Sequence, residues 1–254
     1  MKNFNIQQIA DSGQIFRFNE VAPQKYELIA GDKRLLIDAE KEPEFSDEFW
    51  RNYFDMDTDY SKFIAAVPKS DKFLTAAVQY AEGMRILRQD PWEMLISFII
   101  SQRKSIPAIK TSVEKLCEKF GTWKNGYYAF PTPKQLARAD IDELFACSLG
   151  YRAPYIYECA QKTASGEYDI EAWQHLPDEA LRDRLLAIRG VGIKVANCVM
   201  LFGYHRIAAF PVDVWIQRIV DEHYDGRFPL ENYEGFAGVI QQYMFYYGRL
   251  AAKK

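Results

Sequence analysis

Cysteine and histidine are scarce in this sequence, with four and three copies in 254 residues. Cys117, Cys147, Cys159 and Cys198 are widely spaced, form no Cys-x-x-Cys pair and have no histidine at ligand spacing, which argues against a zinc or iron–sulfur site. So few thiols without a pairing pattern fit a reduced, intracellular and cytoplasmic setting rather than a disulfide scaffold. No apolar run is long enough to cross a bilayer, and the opening "MKNFNIQQIADSGQIF" lacks the apolar core of an export signal, so no membrane association is expected. An excess of positive charge is missing too: 32 Lys and Arg stand against 35 Asp and Glu, a formal net charge of −3. That balance argues against a protein that coats nucleic acid without selectivity, while leaving room for a basic face. Low-complexity linkers and internal repeats are also lacking.

What is present is a chain long enough to bury a substantial core without staples, and one rich in aromatic rings, with 16 Tyr and 17 Phe. Some of those rings are expected on working surfaces. Between about Phe4 and Ala39 the runs "IFRFNEV", "KYELIA" and "RLLIDA", separated by Pro23 and "GDK", alternate as strands do and predict a small antiparallel sheet. After "DEFWRNYFDMD" the apolar spacing becomes helical, through "DKFLTAAVQYAEGM", "PWEMLISFIISQRKSIPAIKTSVEKLCEKFG", "YRAPYIYECAQKTASG" and a final "FAGVIQQYMFYYGRLAAKK". Gly121, Gly150 and Gly166 fall where helices should end; Pro91, Pro133 and Pro177 fall near where they should begin. The expected fold is α+β: a sheet unit with flanking helices over residues 1–85, and a larger helical body over 86–254 that ends in a C-terminal helix.

One stretch carries chemistry. "LPDEALRDRLLAIRGVGIKVANCVMLFGY" reads as helix, turn, helix, with the first helix ending at Ile188 or Arg189, the turn at Gly190-Val191-Gly192, and the second helix opening at Ile193 or Lys194. Glycines at such a turn allow positive φ and close approach by another backbone, and the free N–H groups of a helix N-terminus attract phosphate. The pattern fits a helix-hairpin-helix over about 181–203 that grips a nucleic-acid backbone; it equally fits a plain connection between two helices. Asp213, 19 residues after Lys194, precedes the amphipathic Trp215, Ile216, Ile219 and Val220, which makes it a natural helix N-cap. A capping carboxylate near a lysine at the mouth of the hairpin would pair one nucleophile with one anion.

With these residues in place, the chain resembles the helix-hairpin-helix, Gly/Pro-Asp superfamily of base-excision DNA glycosylases, and within it the 8-oxoguanine DNA glycosylases. "SGQIFRF", "DPWEMLISFIISQ", "LGYRAPYI", "GVGIKVANC", "FPVDVW" and "AGVIQQYMF" match family motifs in order along nearly the whole chain. The resemblance implies that Lys194 is the nucleophile that attacks the sugar C1′ and opens the way to β-elimination, and that Asp213 is its partner. It implies a pocket for a flipped-out base in which the Gly13 carbonyl detects the N7–H of 8-oxoguanine, Cys198 and Phe245 sandwich the base, and Gln241 bonds its Watson–Crick edge. Phe98 and Phe202 would line the same pocket, although their helical apolar pattern also suits the core. Tyr151 would wedge into the stack, Arg152 would meet the orphaned base, and Gly190 and Gly192 would hold phosphate.

Departures from the pattern matter for specificity. Arg103 stands where the eukaryotic enzymes have an asparagine that fills the gap, and Ala108 stands where they carry a second cytosine-reading arginine. The loss of that donor predicts a relaxed opposite-base preference. Trp215 replaces a common histidine. The implied partner is double-stranded DNA containing oxidised guanine, met by a monomer, at the nucleoid if the source is bacterial. No organic cofactor and no catalytic metal are implied, and a structural monovalent cation at the hairpin carbonyls is the family expectation. Two other functions fit parts of the pattern: a monofunctional alkyl-base glycosylase, which would not need Lys194, and a non-catalytic DNA-binding module, which would need neither the lysine–aspartate pair nor the aromatic pocket.

Overall fold

The computed structural model describes residues 3–41 and 45–251. Helix α1 (Ile6–Ala10) leads into β1 (Phe18–Ala22), β2 (Lys25–Ala30) and β3 (Lys33–Asp38), an antiparallel meander in which Phe18 faces Leu28 and Tyr26 faces Ile37. The alternation puts Phe18, Tyr26, Leu28 and Ile37 on one side, where Ile6 and Ile9 of α1 and Trp50 and Tyr53 of α2 (Glu48–Tyr53) close a small core over them.

The helical body follows as α3 (Ser61–Ala65), α4 (Lys72–Tyr80), α5 (Pro91–Ser101) and α6 (Ile106–Phe120). A short hairpin of β4 (Trp123–Lys124) and β5 (Tyr127–Tyr128) comes next. Then come α7 (Pro133–Leu136), α8 (Ile141–Ala146), α9 (Ala153–Ala164), α10 (Asp178–Leu186), α11 (Ile193–Phe202), α12 (Val214–His223) and α13 (Ala237–Ala251). Its axis is α5. Every residue from Trp92 to Ser101 is buried, because α6, α9 and α11 pack around it. Pro91 sits at its first turn, and the Asp90 side chain accepts from the Glu93 N–H at 2.8 Å. Helix α4 packs on α13, so Leu74, Ala77 and Val78 share the core of the helical body.

Three features differ from the sequence expectation. The pattern running through residues 91–121 as one helical stretch is broken at Gln102–Ser105. There Arg103 takes a left-handed φ of 54°, and Pro107, which fits the first turn of α6, could not sit inside a continuous helix because its ring would clash with the Arg103 carbonyl four residues back. The β4–β5 hairpin was not expected, although its Asn125-Gly126 turn, with both φ positive at 43° and 107°, is the type such sequences favour. Gly150 does not end a helix. Helix α8 finishes at Ala146, and Gly150 opens a 3-10 turn through Arg152 with φ of 56°.

The sheet unit is tied to the helical body by buried polar contacts. Arg17, 1% exposed, pairs with Glu114 at 2.9 Å and donates to the Tyr128 carbonyl. Glu93 accepts from the Gly31 N–H, and Asp55 receives Arg88, Tyr60 and His205.

Candidate active site

The hairpin forms for local reasons. Leu181 and Leu185 bury one face of α10, and the chain turns back through a Val191 N–H bond to the Ile188 carbonyl at 3.0 Å. The first helix therefore ends slightly before the expected Ile188 or Arg189. Gly190 has φ of 85°, and a Cβ there would lie 2.3 Å from the Tyr155 ring, so both backbone and packing demand glycine. Gly192 differs: it caps α11 with φ of −97°, and the space where its Cβ would stand is open.

Lys194 is the second residue of α11, in the turn where backbone N–H groups lack intrahelical partners. Its amine stands 5.3 Å from the centre of the Phe98 ring and beside the thiol of Cys198, one turn further on. Burial pushes the Cys198 thiol up, and the neighbouring Lys194 opposes that rise. Phe98 is stacked on Phe202 at 5.5 Å and meets Phe16 edge-on, which gives the lysine an aromatic floor.

Asp213 caps α12. Its Oδ1 accepts from the Trp215 and Ile216 N–H groups at 3.0 and 2.9 Å, and Oδ2 takes no protein donor among the described residues. The loop before it is held by Gln241 of α13, whose amide donates to the Pro211 carbonyl at 3.0 Å.

Lys194 and Asp213 open onto one cleft of about 850 Å³, together with Gly13, Phe98, Arg103 and Phe245. Cys198, Phe202 and Gln241 are buried behind its lining; Gln241 is committed to Pro211 and, through its oxygen, to Gln242. The cleft also contains Trp215 and three cations that the sequence reading did not name, Lys104, Lys110 and Arg249; Lys104 is bonded to the Ser112 hydroxyl and the Ser148 carbonyl. Arg249 lies one helical turn after Phe245, so following the α13 face one step further would have found it.

The expected DNA-contact residues lie outside this cleft, apart from Arg103. Tyr151 is 48% exposed, whereas Arg152 is 5% exposed and lies under it, its guanidinium 4.2 Å from the tyrosine ring. Arg152 donates inward to the carbonyls of Leu149 and Gln102. The Gln102 side chain in turn donates to the Gly190 carbonyl at 3.0 Å. The α5–α6 loop, the Tyr151 turn and the hairpin are thus fastened to one another through two side chains. Gly190 and Ile188 each use one carbonyl lone pair within the protein, so a monovalent cation at this turn would have to share them. Among the described residues no cluster of His, Cys, Asp or Glu could hold a metal ion, all four cysteines are free, and no helix is long and apolar enough to cross a membrane.

Comparison with known proteins places this geometry. Residues 1–95 match the family model for the 8-oxoguanine DNA glycosylase N-terminal domain, and residues 96–227 match that of the HhH-GPD superfamily base excision DNA repair proteins. A probable N-glycosylase/DNA lyase of Methanothermobacter thermautotrophicus is 32% identical over 77% of this chain and 72% of its own length. The structure of MBOgg1 in complex with a low-affinity DNA ligand superposes with a TM-score of 0.90 at 37% identity, covering 99% of this chain and 94% of that one. The Clostridium acetobutylicum 8-oxoguanine glycosylase/lyase, solved with double-stranded DNA containing cytosine opposite 8-oxoguanine, gives 0.90 at 34% identity with the same coverage. The chain belongs to the HhH-GPD superfamily of base excision DNA repair proteins and carries the N-terminal domain of the 8-oxoguanine DNA glycosylases.

Proposed function

We propose that this protein is a bifunctional DNA glycosylase and lyase that removes 8-oxoguanine from duplex DNA, working as a monomer in the cytoplasm. The observation that carries the reading is the meeting, in one cleft at the mouth of the hairpin, of a half-buried lysine and an aspartate one of whose oxygens takes no protein donor among the described residues. The base leaves the stack and enters the cleft, because C1′ cannot be reached inside the duplex. The neutral amine of Lys194 attacks C1′; the C1′–N9 bond breaks and its electron pair leaves with the base, which takes up a proton. Asp213 stabilises the positive charge that develops on the sugar, held in place by the two N–H groups it caps. The resulting aminal opens by breaking C1′–O4′ to a Schiff base. Loss of a C2′ proton then expels the 3′ phosphate, and water releases the lysine.

Lesion recognition is assigned to Gly13, whose carbonyl would accept N7–H, with Phe245 against one face of the base. Cys198, Phe98 and Phe202 would form the wall behind it, and Gln241 would read the Watson–Crick edge after releasing Pro211. Tyr151 would fill the gap left in the stack, and Gly190 and Gly192 would take the phosphate. A relaxed opposite-base preference is supported by two features: Ala108 offers no donor, and Arg152 spends its guanidinium on protein carbonyls, leaving Arg103 as the exposed cation of that loop. A monovalent cation shared by the hairpin carbonyls would brace the phosphate, and no step passes through it.

Borohydride trapping tests the proposal, using duplexes with 8-oxoguanine opposite each of the four bases and undamaged guanine and Lys194→Gln as controls. A covalent adduct that requires both lesion and lysine, with similar yields opposite all four bases, is expected. Absence of any adduct, with no alkali-labile base release, would overturn it.

A further inference from the structure

The mechanism above leaves Arg249 unused, although it stands in the cleft. Its guanidinium lies 5.5 Å from the centre of the Phe245 ring, on the same face of α13. Nη2 donates to the Asp11 carbonyl, at the start of the loop that carries Gly13. Nε is buried without a partner, and Nη1 has no protein acceptor among the described residues. Nη1 is also next to Gly13: a methyl group on that glycine would lie 3.7 Å from it, 3.2 Å from the Phe245 ring and 3.1 Å from Ile106. A partly buried guanidinium with unclaimed donors calls for an acceptor. Lys110, the other cation nearby, already donates to the Phe18 carbonyl and Asn19 Oδ1 at 2.8 and 2.9 Å.

Oxidation of guanine at C8 changes two adjacent atoms: N7 gains a hydrogen and C8 gains a carbonyl oxygen. Resting on the reading that the base is 8-oxoguanine with its N7–H on the Gly13 carbonyl, we propose that Arg249 is a second lesion reader, whose Nη1 donates to the C8 oxygen. Undamaged guanine offers a C8–H at that place, so it would bury the carbonyl oxygen of Gly13 and the donor of Arg249 unsatisfied at once. Reading both changed atoms separates lesion from guanine more sharply than either contact alone.

The same arginine also holds the Gly13 loop through Asp11, so the test has to separate recognition from propping. Arg249→Leu and Arg249→Lys are compared with wild type for single-turnover base release on duplexes bearing 8-oxoguanine or 8-thioguanine. The latter keeps N7–H but replaces the C8 oxygen with sulfur, a poor acceptor. Affinity for a duplex with a tetrahydrofuran abasic analogue reports folding and backbone binding. Arg249→Leu should lose about 10- to 100-fold on 8-oxoguanine, the range for one hydrogen bond to a charged donor, with little change on 8-thioguanine or abasic DNA. Equal losses on both bases would reduce Arg249 to a prop for Gly13 and overturn the assignment, as would an unchanged rate on 8-oxoguanine. If Arg249→Leu fails to bind abasic DNA, the comparison of the two bases is decided on Arg249→Lys, which keeps the charge but not the fork. A wild-type protein that does not release 8-oxoguanine would instead bring down the functional reading itself.

Discussion

Asp213 caps a helix and, in the mechanism proposed above, also steadies charge on the sugar, and two substitutions can separate these jobs. Its Oδ1 caps α12 through Trp215 and Ile216, and that helix buries Ile216, Ile219 and Val220. Asparagine keeps an equally good cap oxygen and puts its amide where Oδ2 takes no protein donor, so Asp213→Asn should hold stability within about 0.5 kcal/mol. Alanine loses the cap, which costs about 1 kcal/mol and lowers the Tm by about 2–4 °C for a chain of this size. The chemistry should respond differently, because both variants lack the negative charge that the proposed mechanism sets against the sugar as C1′–N9 breaks. Loss of one such preorganised group slows the chemical step by on the order of 10²–10³, and the two variants should be slowed alike.

Thermal melts and single-turnover base release on an 8-oxoguanine duplex, read after alkaline cleavage, give the two axes. The expected pattern is one stable variant and one weakened variant, equally slow. Wild-type rates in Asp213→Asn would refute the reasoning, since the carboxylate would then be a cap and nothing more. A loss of stability in Asp213→Asn equal to that in Asp213→Ala would refute the capping half.

Two further perturbations probe the hairpin and the junction between the units. Gly190→Ala should destabilise the protein by about 2–5 kcal/mol, from positive φ and from collision with the Tyr155 ring; Gly192→Ala, at negative φ in open space, should leave the melt unchanged and lower affinity for DNA. Equal melts for the two would show that the turn tolerates a side chain at both places. Glu93, 6% exposed and pushed up to about 7 by burial against the pull of Arg17, holds its proton more tightly folded than at its ordinary 4.5. Stability from this group is therefore full below about pH 4.5 and falls as pH rises towards 7, by up to roughly 3 kcal/mol. Urea unfolding should then show Glu93→Gln gaining on wild type between pH 5 and pH 8, and a constant gap would refute the buried-acid account.

The parts of this molecule legible in the sequence are those fixed by neighbours in the chain. Three strands follow from alternation, the hairpin from Gly190 and Gly192, and the start of α12 from an aspartate ahead of an amphipathic run. The break after Ser101 was hidden because the apolar spacing continues through it, while the cause lies further on in Pro107 and in the left-handed Arg103. Long-range polar contacts leave no periodic trace at all. Nothing local says that Arg152 turns inward to the Gln102 carbonyl, that Gln102 reaches Gly190, or that Arg249 meets the loop of Gly13. Family resemblance could name Tyr151, Arg152 and Gly190 one by one, but it did not reveal that they are mechanically joined. That joining bears on function. In the reading proposed above, a duplex that takes Tyr151 into its stack would press on the arginine beneath it and, through Gln102, on the turn before Lys194. On that reading, insertion into the helix and alignment of the nucleophile would be linked through Gln102, which the proposed mechanism assigns to neither base nor sugar.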